Sequence, residues 1–460
     1  MPLPDEKAAG TTVQKTTAPL PLAASSPWHL QAPVFPVLMA DRRTALNRLW
    51  QLATLALGGS AAAGLAACGG GGTPAPVASS PPPGPTPPPV SSPPPPAAAP
   101  AAANTFATGL QNPWGMAFLP DGRILVTQRT GSLVVVSANG QAVSAVTGAP
   151  TVDASGQGGL LDVALDPDFS TSGLVFLTFS EPGSGGTAGT AVARGQLVGN
   201  ALQNVSVIFR QSPKISGNGH YGSRLAFRGD KTLFVTLGER QQDDPANPTT
   251  ANAQNLTKHL GKVVRINRDG SVPTGNPSFA GVSGALPEIW SYGHRNPQGA
   301  AIHPTTGELW QSEHGPQGGD EINISRAGSN YGWPLRSYGC PYGAAVNGND
   351  NSACRVGGGT HAPTYVEPLT LATWTPFSVA PSGLAFYTGT MFPEWQGNLF
   401  MGALAGMALW RLKLNGNTVE SQEPLFASLN ERIRDVRQGP DGALYLLTDG
   451  GSARIVRVAR

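Results

Sequence analysis

The sequence predicts an all-β fold and, within it, a six-bladed β-propeller over residues 104–460. After residue 103 no helical periodicity stands out. Instead, an apolar strand, a turn rich in Pro, Asp or Gly, and a second apolar strand recur six times. Short strands bounded by turn residues are typical of all-β proteins, and repetition of such a unit is typical of a propeller. The turns lie at residues 120–122, 166–168, 229–230, 304–307, 393–397 and 440–442.

The two ends of this domain are expected to meet. The last apolar segment, residues 453–458, can pair with an early segment, residues 105–110, and so close the ring of blades. Closure is favoured because it leaves fewer sheet edges exposed.

Residues 1–68 predict an N-terminal extension that ends in an export signal. Arg42 and Arg43 precede an apolar run at residues 49–65, and small residues lead directly to Cys68. Basic, apolar and small residues in this order are the layout of an export signal. A cysteine directly after the small residues resembles a bacterial lipoprotein signal, in which Cys68 is acylated after cleavage. The alternative is a single transmembrane anchor, although the run is short and rich in Gly and Ala. We therefore expect a periplasmic, lipid-anchored protein of the cell envelope.

Residues 69–103 consist mainly of Gly, Pro, Ala and Ser. This composition cannot bury a core, so we expect a disordered tether of the polyproline type. At about 3.1 Å per residue, roughly 35 residues can hold the domain up to ~100 Å from a membrane.

Charge and cysteine content limit the classes of partner. The net charge is +2 and 13% of the residues are charged, so nothing indicates nucleic acid or an acidic partner. Apart from Cys68, the cysteines are Cys340 and Cys354. In an exported domain such a pair predicts one disulfide that closes a loop. A metal-binding pair is the alternative, but neighbouring ligands at a suitable spacing are lacking.

The repeat also predicts where a functional site lies. If the six turns share one face, the loops before each first strand and after each second strand share the opposite face, which we call the mouth. These loops carry polar residues that differ from blade to blade, and we expect them to converge. They include Gln157, His220, Arg295, Asn296, Ser378, Arg432 and Arg434 before first strands, and Arg129, Glu239, residues 313–316 and Asp449 after second strands.

Two kinds of residue in this set indicate chemistry. A loop histidine such as His220 suits a general base because its pKa lies near neutral pH, although an exposed or structural histidine is the alternative. Arg295, Arg432 and Arg434 carry planar, permanently charged groups that bind carboxylates. Arg432 and Arg434 alternate along a strand and therefore face one side of it. Three such groups indicate a polyanionic ligand, and surface salt bridges are the alternative.

A metal site is also compatible with the sequence. The turn at Gly315 and Pro316 presents backbone carbonyls, and Asp320 and Glu321 supply carboxylates close by. Hard cations such as Ca²⁺ take oxygen ligands of this kind. No EF-hand spacing accompanies them, so the residues alone leave the metal open.

Together these motifs resemble the soluble pyrroloquinoline quinone (PQQ) dehydrogenases, namely the aldose sugar dehydrogenase and soluble glucose dehydrogenase family. The resemblance extends over residues 104–460. Its most specific strings are HRNPQG at residues 294–299, DEIN at residues 320–323 and NYGWP at residues 330–334. It implies a six-bladed propeller that oxidises aldoses at the anomeric carbon to lactones, with PQQ over the mouth.

The resemblance also implies roles for individual residues. His220 would take the proton of the anomeric hydroxyl as hydride passes to PQQ, and Asp320 would tune the site. Gln157 and Arg295 would help to polarise the reacting carbonyl of PQQ. The residues implied to hold the cofactor are Gln157, Arg295, Asn296, Ser378, Arg432 and Arg434.

Two Ca²⁺ sites follow from the same resemblance. The carbonyls of Gly315 and Pro316 would bind the ion that also touches PQQ. Glu321, with the backbone oxygen of Tyr331, would bind a second, structural ion.

Four positions depart from the glucose-specific branch of the family. That branch has a lysine that grips PQQ where this chain has Ala405, and a tyrosine where it has Thr373. It has a threonine where this chain has Ser378, and a glutamine where it has His314. These changes leave both the PQQ affinity and the identity of the sugar open.

Two other functions are weighed against a dehydrogenase. A Ca²⁺-dependent propeller lactonase also has a metal at its mouth, but a neutral lactone needs no set of three arginines. The second alternative is a propeller that only binds a partner or a glycan. Ala405 is the feature that favours this alternative. For a dehydrogenase, the sequence does not identify the electron acceptor; a cytochrome and the quinone pool are both compatible with it.

Overall fold

The computed structural model describes residues 100–248, 251–348, 350–358, 374–375 and 377–460. The predicted export signal with Cys68, residues 69–99 of the predicted tether, and Thr373 lie outside the described residues. Within the described part of the chain, no helix is long and apolar enough to cross a membrane.

The described chain forms six antiparallel sheets, the blades of a propeller, and the first strand of each is innermost. Blade 1 contains β2 (Pro113–Phe118), β3 (Ile124–Gln128), β4 (Leu133–Val136) and β5 (Val143–Val146), and blade 2 contains β6 (Leu160–Leu165), β7 (Leu174–Pro182), β8 (Ala188–Val198) and β9 (Ala201–Arg210). Blade 3 contains β10 (Gly222–Phe227), β11 (Leu233–Leu237), β12 (Lys262–Ile266) and β13 (Ile289–Tyr292), and blade 4 contains β14 (Pro297–Ile302), β15 (Leu309–Glu313) and β16 (Glu321–Ser325). Blade 5 contains β17 (Pro381–Phe386), β18 (Leu399–Ala403), β19 (Leu409–Asn415) and β20 (Thr418–Leu425), and blade 6 contains β21 (Ile433–Gln438), β22 (Leu444–Thr448), β23 (Ala453–Ala459) and β1 (Ala102–Leu110).

The predicted architecture is confirmed. Each of the six predicted turns joins the first and second strands of one blade. The six first strands contact one another in a ring around a common axis. The loops before the first strands and after the second strands therefore lie together at the other end of the axis from the turns, as predicted for the mouth.

The predicted closure is also confirmed. Strand β1 pairs antiparallel with β23, with Ala102 opposite Ala459 and Leu110 opposite Ala453. Ala107 and Leu110 are buried between blades 6 and 1, in a cluster that includes Met116. The N-terminal strand thus completes the last blade as its outermost strand and covers the outer edge of β23.

Every blade has a β-bulge at the same place, near the mouth end of its first strand. A bulge bends a strand and redirects its side chains. In this protein the bulges turn residues such as Asp162, Arg224 and Arg434 towards the axis. The register shifts lie between Pro113 and Met116, Leu160 and Val163, Gly222 and Leu225, Pro297 and Gly299, Pro381 and Leu384, and Ile433 and Asp435.

The turn end of the axis is lined by small and apolar residues. Five of the six first strands place an alanine followed by a larger apolar residue there, whereas blade 6 places Arg437 and Gln438. The cavity at this end has a volume of about 450 Å³. Arg437 bonds to Asp435 and Asp162, so its charged group is held at the axis.

Helical structure is sparse among the described residues. There is one short α-helix, α1 (Phe169–Ser172), and 3₁₀ turns occur at Ser184–Gly186, Ser352–Cys354, Val356–Gly358, Pro393–Trp395 and Ala427–Leu429. The predicted disulfide is confirmed, since Cys340 and Cys354 are bonded to each other.

Candidate active site

A cavity of about 330 Å³ opens at the mouth. Two of the arginines predicted to bind an anion, Arg432 and Arg434, lie in its wall together with Gln157. The whole lining consists of Trp114, Arg129, Gly156, Gln157, Gln298, His314, Ala380, Leu404, Arg432, Arg434 and Asp449.

Arg432 and Arg434 share one carboxylate, that of Asp449. Arg432 Nε donates to Asp449 Oδ2 (2.9 Å), and Arg434 Nη2 lies 3.2 Å from Asp449 Oδ1. Burial lowers the pKa of Arg434 to about 10, which still leaves it charged at neutral pH. With one carboxylate for two guanidinium groups, this wall of the cavity keeps a net positive charge.

A third arginine, Arg129, lines the same cavity. Its Nη1 donates to the carbonyl oxygen of Gly156 (2.6 Å), the residue before Gln157. Its Nε is buried and has no hydrogen-bond partner among the residues that the structure describes. Arg129 therefore adds positive charge to the cavity and also fixes the loop that carries Gln157.

The floor of the cavity rests on a buried charge cluster at the axis. Arg224 Nη1 lies 3.0 Å from Asp162 Oδ1 and 3.3 Å from Asp435 Oδ1. Its remaining donors bond to the carbonyl oxygens of Gln298 (2.7 Å) and Arg434 (2.9 Å). Because Gln298 and Arg434 both line the cavity, Arg224 fixes the backbone of its floor.

His220 is buried beside this cavity and is paired with Glu239. The distance from His220 Nδ1 to Glu239 Oε1 is 2.5 Å. Glu239 Oε2 accepts the backbone N–H groups of Gln242 (2.6 Å) and Asp243 (2.9 Å), so this carboxylate is held as an acceptor. We therefore assign the proton of the imidazole to Nδ1, which leaves a lone pair on Nε2. The backbone N–H of His220 donates to Gln157 Oε1 (2.9 Å), which ties it to the cavity wall.

Burial dominates the protonation of this pair. It lowers the pKa of His220 well below its usual value, and the charge of Arg295 lowers it further. Burial raises the pKa of Glu239 to about 7, against the backbone hydrogen bonds that favour the carboxylate. A neutral imidazole at neutral pH is the state that a general base requires.

Arg295 and Asn296 are held by Glu313. The Glu313 Oε1 atom accepts the backbone N–H groups of both residues. Arg295 Nη1 donates to the carbonyl oxygen of Gly315 (2.7 Å), and its Nη2 donates to the hydroxyl of Tyr342 (3.0 Å). Its Nε is buried without a hydrogen-bond partner among the described residues.

His314 lies between Arg295 and the 330 Å³ cavity. It lines both the 330 Å³ cavity and a small neighbouring cavity that contacts Arg295, Glu321 and Tyr331. His314 Nε2 donates to the carbonyl oxygen of Pro381 (2.6 Å), and burial lowers the pKa of His314 to about 3. This histidine is therefore a neutral part of the wall with a fixed tautomer.

Asp320 and Ser378 bond to each other, and neither lines the 330 Å³ cavity. Ser378 Oγ lies 2.7 Å from Asp320 Oδ2, which also accepts the N–H of Val379 (2.7 Å). Asp320 Oδ1 accepts the N–H of Gly315 (3.0 Å). Burial raises the pKa of Asp320 to about 6. In this structure the pair braces the mouth loops of blades 4 and 5 against each other.

The residues predicted to bind metal ions lie close together. Gly315, Glu321 and Tyr331 line the small cavity, and Glu313 adds a second carboxylate there. Carboxylate and carbonyl oxygens are the donors that Ca²⁺ takes. Among the described residues no group of three His, Cys, Asp or Glu side chains is arranged to hold a metal, so an ion here would rely on backbone oxygens.

The structure adds three residues to which the sequence assigned no role. Arg129 and Glu239 stood among the polar mouth loops, so their location was predicted but their contacts were not. Nothing in the sequence predicted a role for Tyr342 except its position two residues after Cys340. Its ring is 72% exposed, and its hydroxyl is bonded to Arg295.

The fold and this site define a propeller enzyme with a positively charged mouth and a buried histidine–carboxylate pair. The chain belongs to the glucose/sorbosone dehydrogenase family, whose model matches residues 110–457, and it is therefore an oxidoreductase. It is 44% identical over 353 residues to aldose sugar dehydrogenase YliI of Escherichia coli (strain K12), which covers 76% of this chain and 90% of that protein.

Solved structures give the same assignment. A crystal structure of a glucose dehydrogenase is 45% identical, with a TM-score of 0.71, and the match covers 78% of this chain and 99% of that one. The PQQ-bound form of the aldose sugar dehydrogenase of Streptomyces coelicolor is 29% identical, with a TM-score of 0.62, and the match covers 78% and 98% of the two chains. The resemblance stated from the motifs is thereby confirmed.

Proposed function

We propose that this protein oxidises aldose sugars at the anomeric carbon to lactones, with PQQ as the hydride acceptor and Ca²⁺ as a required ion. The observation that carries the proposal is the neutral His220–Glu239 pair beside a cavity walled by Arg129, Arg432 and Arg434. The family and the PQQ-bound relative from S. coelicolor support it.

The residues present fit PQQ. PQQ carries three carboxylates, and the mouth offers Arg129, Arg432 and Arg434 in one cavity and Arg295 next to it. The buried Nε atoms of Arg129 and Arg295 have no partner among the described residues and are available for an acceptor from a ligand. Buried donors without partners are costly, so such atoms favour a bound anion. When bound, PQQ supplies an electrophilic quinone carbonyl that accepts a hydride.

His220 carries the proton transfer in this proposal. Its Nε2 lone pair takes the proton of the anomeric hydroxyl as the hydride leaves the anomeric carbon, so the sugar loses two electrons and becomes a lactone. The imidazolium that forms is stabilised by the carboxylate of Glu239 across Nδ1–H. Without that carboxylate, a buried positive imidazolium would be strongly disfavoured.

The remaining mouth residues position these groups. Gln157 links the cavity wall to the backbone of His220, and Glu313 holds the peptide groups of Arg295 and Asn296. For Ca²⁺, the oxygens of Gly315 and Pro316 are our candidates at the cofactor, and Glu321 with Tyr331 at the second site. The ion would neutralise the negative charge of a bound anion and polarise its carbonyl.

For the location we propose the periplasmic side of the cell envelope, with a lipid anchor on Cys68. The sequence pattern of the signal supports it, as does the Cys340–Cys354 disulfide, because disulfides persist in oxidising compartments. Mass spectrometry of the mature N-terminus, with and without a lipoprotein-processing inhibitor, tests this location.

The test of the activity uses the purified protein with PQQ, Ca²⁺ and a panel of aldoses. We expect dye reduction with at least one aldose, dependent on both PQQ and Ca²⁺. His220→Gln and Glu239→Gln should each lower kcat by about 10²-fold or more, as expected for removal of a general base or its partner. Both variants should keep PQQ affinity, because neither side chain lies in the arginine-lined cavity. Glu420→Gln, an exposed change on blade 5, is the matched control.

The pH dependence gives a second readout. Because burial and Arg295 lower the pKa of His220, the base is neutral above that pKa and becomes protonated below it. The mechanism also needs the carboxylate of Glu239, whose pKa burial raises to about 7. The acid limb of kcat/KM should therefore lie near pH 7, and the rate should fall as the pH falls through it. No PQQ binding and no dye reduction with any aldose would refute the proposed function.

A further inference from the structure

Arg240 is a buried cation with an unusual set of partners. Its side chain is completely buried, and its donors contact backbone carbonyls rather than carboxylates. Nε donates to Gly219 O (3.0 Å), Nη1 donates to Ala188 O (2.7 Å), and Nη2 donates to Gly217 O. Arg224, the comparable buried arginine at the axis, is instead paired with Asp162.

Two of these carbonyls belong to the loop that carries His220. Gly217 and Gly219 lie three residues and one residue before it, so the guanidinium of Arg240 fixes the segment that leads into His220. The same guanidinium lies 3.7 Å above the ring of Tyr221, the residue that follows. A cation in this position over an aromatic ring is attracted to it, the more so when both are buried. Arg240 therefore holds the chain on both sides of His220.

The backbone of Arg240 adds another contact. Its N–H donates to the carbonyl oxygen of His220 (3.2 Å), while Glu239, one residue earlier, holds the imidazole ring. This approach is possible because residue 238 is glycine: a Cβ there would lie 2.1 Å from His220 O. Neighbouring residues of one loop thus hold the ring and the backbone of the same histidine.

The local backbone is strained where these contacts occur. His220 has φ +42°, Arg240 has φ +67° and Gln241 has φ +55°. Left-handed backbone is unfavourable for residues other than glycine and persists only where surrounding contacts enforce it. The contacts of Arg240 surround His220 at this point, together with those of Gln157 and Glu239.

We propose that Arg240 is a positioning residue for His220, which holds the histidine in its left-handed conformation so that the ring meets Glu239 on one side and the substrate on the other. Arg240 does not itself touch the substrate or the cofactor. This inference rests on the proposed function in that His220 is taken as the general base.

Arg240 also acts on His220 through its charge. Burial and Arg295 are the larger causes of the lowered pKa of His220, and Arg240 contributes in the same direction. The other charged groups facing the imidazole are Glu239 and Glu313, with His314 nearby as a neutral ring. Loss of Arg240 should therefore raise the pKa of His220 while these neighbours stay in place.

The experiment compares Arg240→Met and Arg240→Lys with a matched control, Lys262→Met. Lys262 is also completely buried, and its Nζ donates to the carbonyls of Asn252, Ala253 and Leu260. It stabilises the chain between β11 and β12, to which Arg240 belongs, but it has no contact with residues 216–220 in the described structure. Burial lowers the pKa of Lys262 to about 7, so its removal reports the cost of losing a buried amino group that bonds three carbonyls, without removing a contact of His220.

Four quantities are measured for each variant. They are the melting temperature, the PQQ affinity by quenching of tryptophan fluorescence, and kcat and KM with the best aldose of the wild type. For Arg240→Met we expect kcat to fall about 10²-fold, the usual contribution of a positioned base, with KM and PQQ affinity within about threefold of wild type. Arg240→Lys should recover part of kcat, because an ammonium can reach the carbonyls but cannot stack on Tyr221 in the same way. Lys262→Met should lower the melting temperature and leave kcat within about threefold.

A measurement on the cofactor-free protein separates this inference from the proposed function. The titration of His220 is followed by NMR of histidine-labelled protein and assigned with His220→Gln. In Arg240→Met the pKa of His220 should rise by about 0.5 unit or more, and it should not change in Lys262→Met. If the wild type oxidises no aldose, the proposed function fails, but the titration still tests whether Arg240 controls His220.

Two results would overturn the inference. One is a folded Arg240→Met protein with wild-type kcat and an unchanged His220 titration. The other is a fall in kcat in both Arg240→Met and Lys262→Met that is in each case proportional to the fall in melting temperature. If Arg240→Met does not fold, Arg240→Gln, which also removes the charge, takes its place in both comparisons.

Discussion

The cationic wall of the mouth depends on Arg129 more than the motifs suggested. Ala405, where the glucose-specific branch has a lysine, donates its backbone N–H to Val379 O (3.0 Å) and provides no charge. Arg129 reaches the cavity from blade 1, with one nitrogen on Gly156 O and a buried Nε that lacks a partner among the described residues. Arg129 thus supplies positive charge at the mouth from blade 1, where Ala405 supplies none.

We therefore expect Arg129→Gln to weaken PQQ binding by about 10- to 100-fold, because a charge-assisted hydrogen bond contributes about 1.5–3 kcal/mol. Fluorescence quenching titrations in the presence of Ca²⁺ measure this. Arg123→Gln is the matched control, since Arg123 lies in the same hairpin but pairs with Asp121 at the turn end. Equal PQQ affinity in the two variants would contradict a cofactor-binding role for Arg129.

At the scale of elements, the disulfide-closed loop supports the Arg295 side of the site. Cys340 and Gln317 exchange backbone hydrogen bonds (3.0 and 3.1 Å), and the Gln317 side chain accepts the N–H of Gly343 (2.9 Å). These contacts hold Tyr342 at the rim, where its hydroxyl accepts from Arg295. The loop therefore extends the proposed cofactor site.

The double variant Cys340→Ser/Cys354→Ser should lower the free energy of unfolding by about 2–4 kcal/mol, the usual effect of opening a loop of this length. It should also weaken PQQ binding by about three- to tenfold, because Arg295 loses a fixed partner. Chemical denaturation and PQQ titration measure the two effects. Tyr342→Phe, which keeps the disulfide, should reproduce only the weaker binding. Unchanged PQQ affinity in both variants would show that the loop does not support Arg295.

The sequence was most informative about local features. The six turns and the strands beside them were predicted because Pro, Asp and Gly determine turns locally and apolar runs mark strands. The sequence did not reveal the bulges, which depend on how first and second strands pair. It also did not reveal the pairing of Glu239 with His220, because this requires left-handed backbone at His220 and contact between two loops of blade 3.

The roles inferred by resemblance also depend on contacts between loops, which the sequence does not reveal. Gly315 was expected to offer its carbonyl to a metal ion, and in the structure that oxygen accepts a bond from Arg295. Ser378 was expected at the cofactor, and its hydroxyl is bonded to Asp320. A motif identifies residue types at a site, whereas the partner of each side chain depends on loops from several blades.

At the scale of the whole molecule, the closure of the ring should determine where the folded domain begins. Strand β1 starts at Ala102, inside the segment that the composition predicts to be a tether, because Ala102 and Ala103 pair with Ala459 and Val458. Phe106, Ala107 and Leu110 fill the space between blades 6 and 1. Without β1, strand β23 would present an unpaired edge and this space would lose its apolar filling.

A protein that begins at residue 100 should therefore melt within about 2 °C of one that retains residues 69–99, because a Pro-rich tether buries no core. A protein that begins at residue 112 should melt about 10 °C lower or more, because a full strand and its buried side chains are lost. It should also associate through the exposed edge of β23, since unpaired edges recruit other strands. Calorimetry and light scattering measure both effects. A monomeric protein from residue 112 with the same melting temperature would show that the ring is closed by the remaining blades without β1.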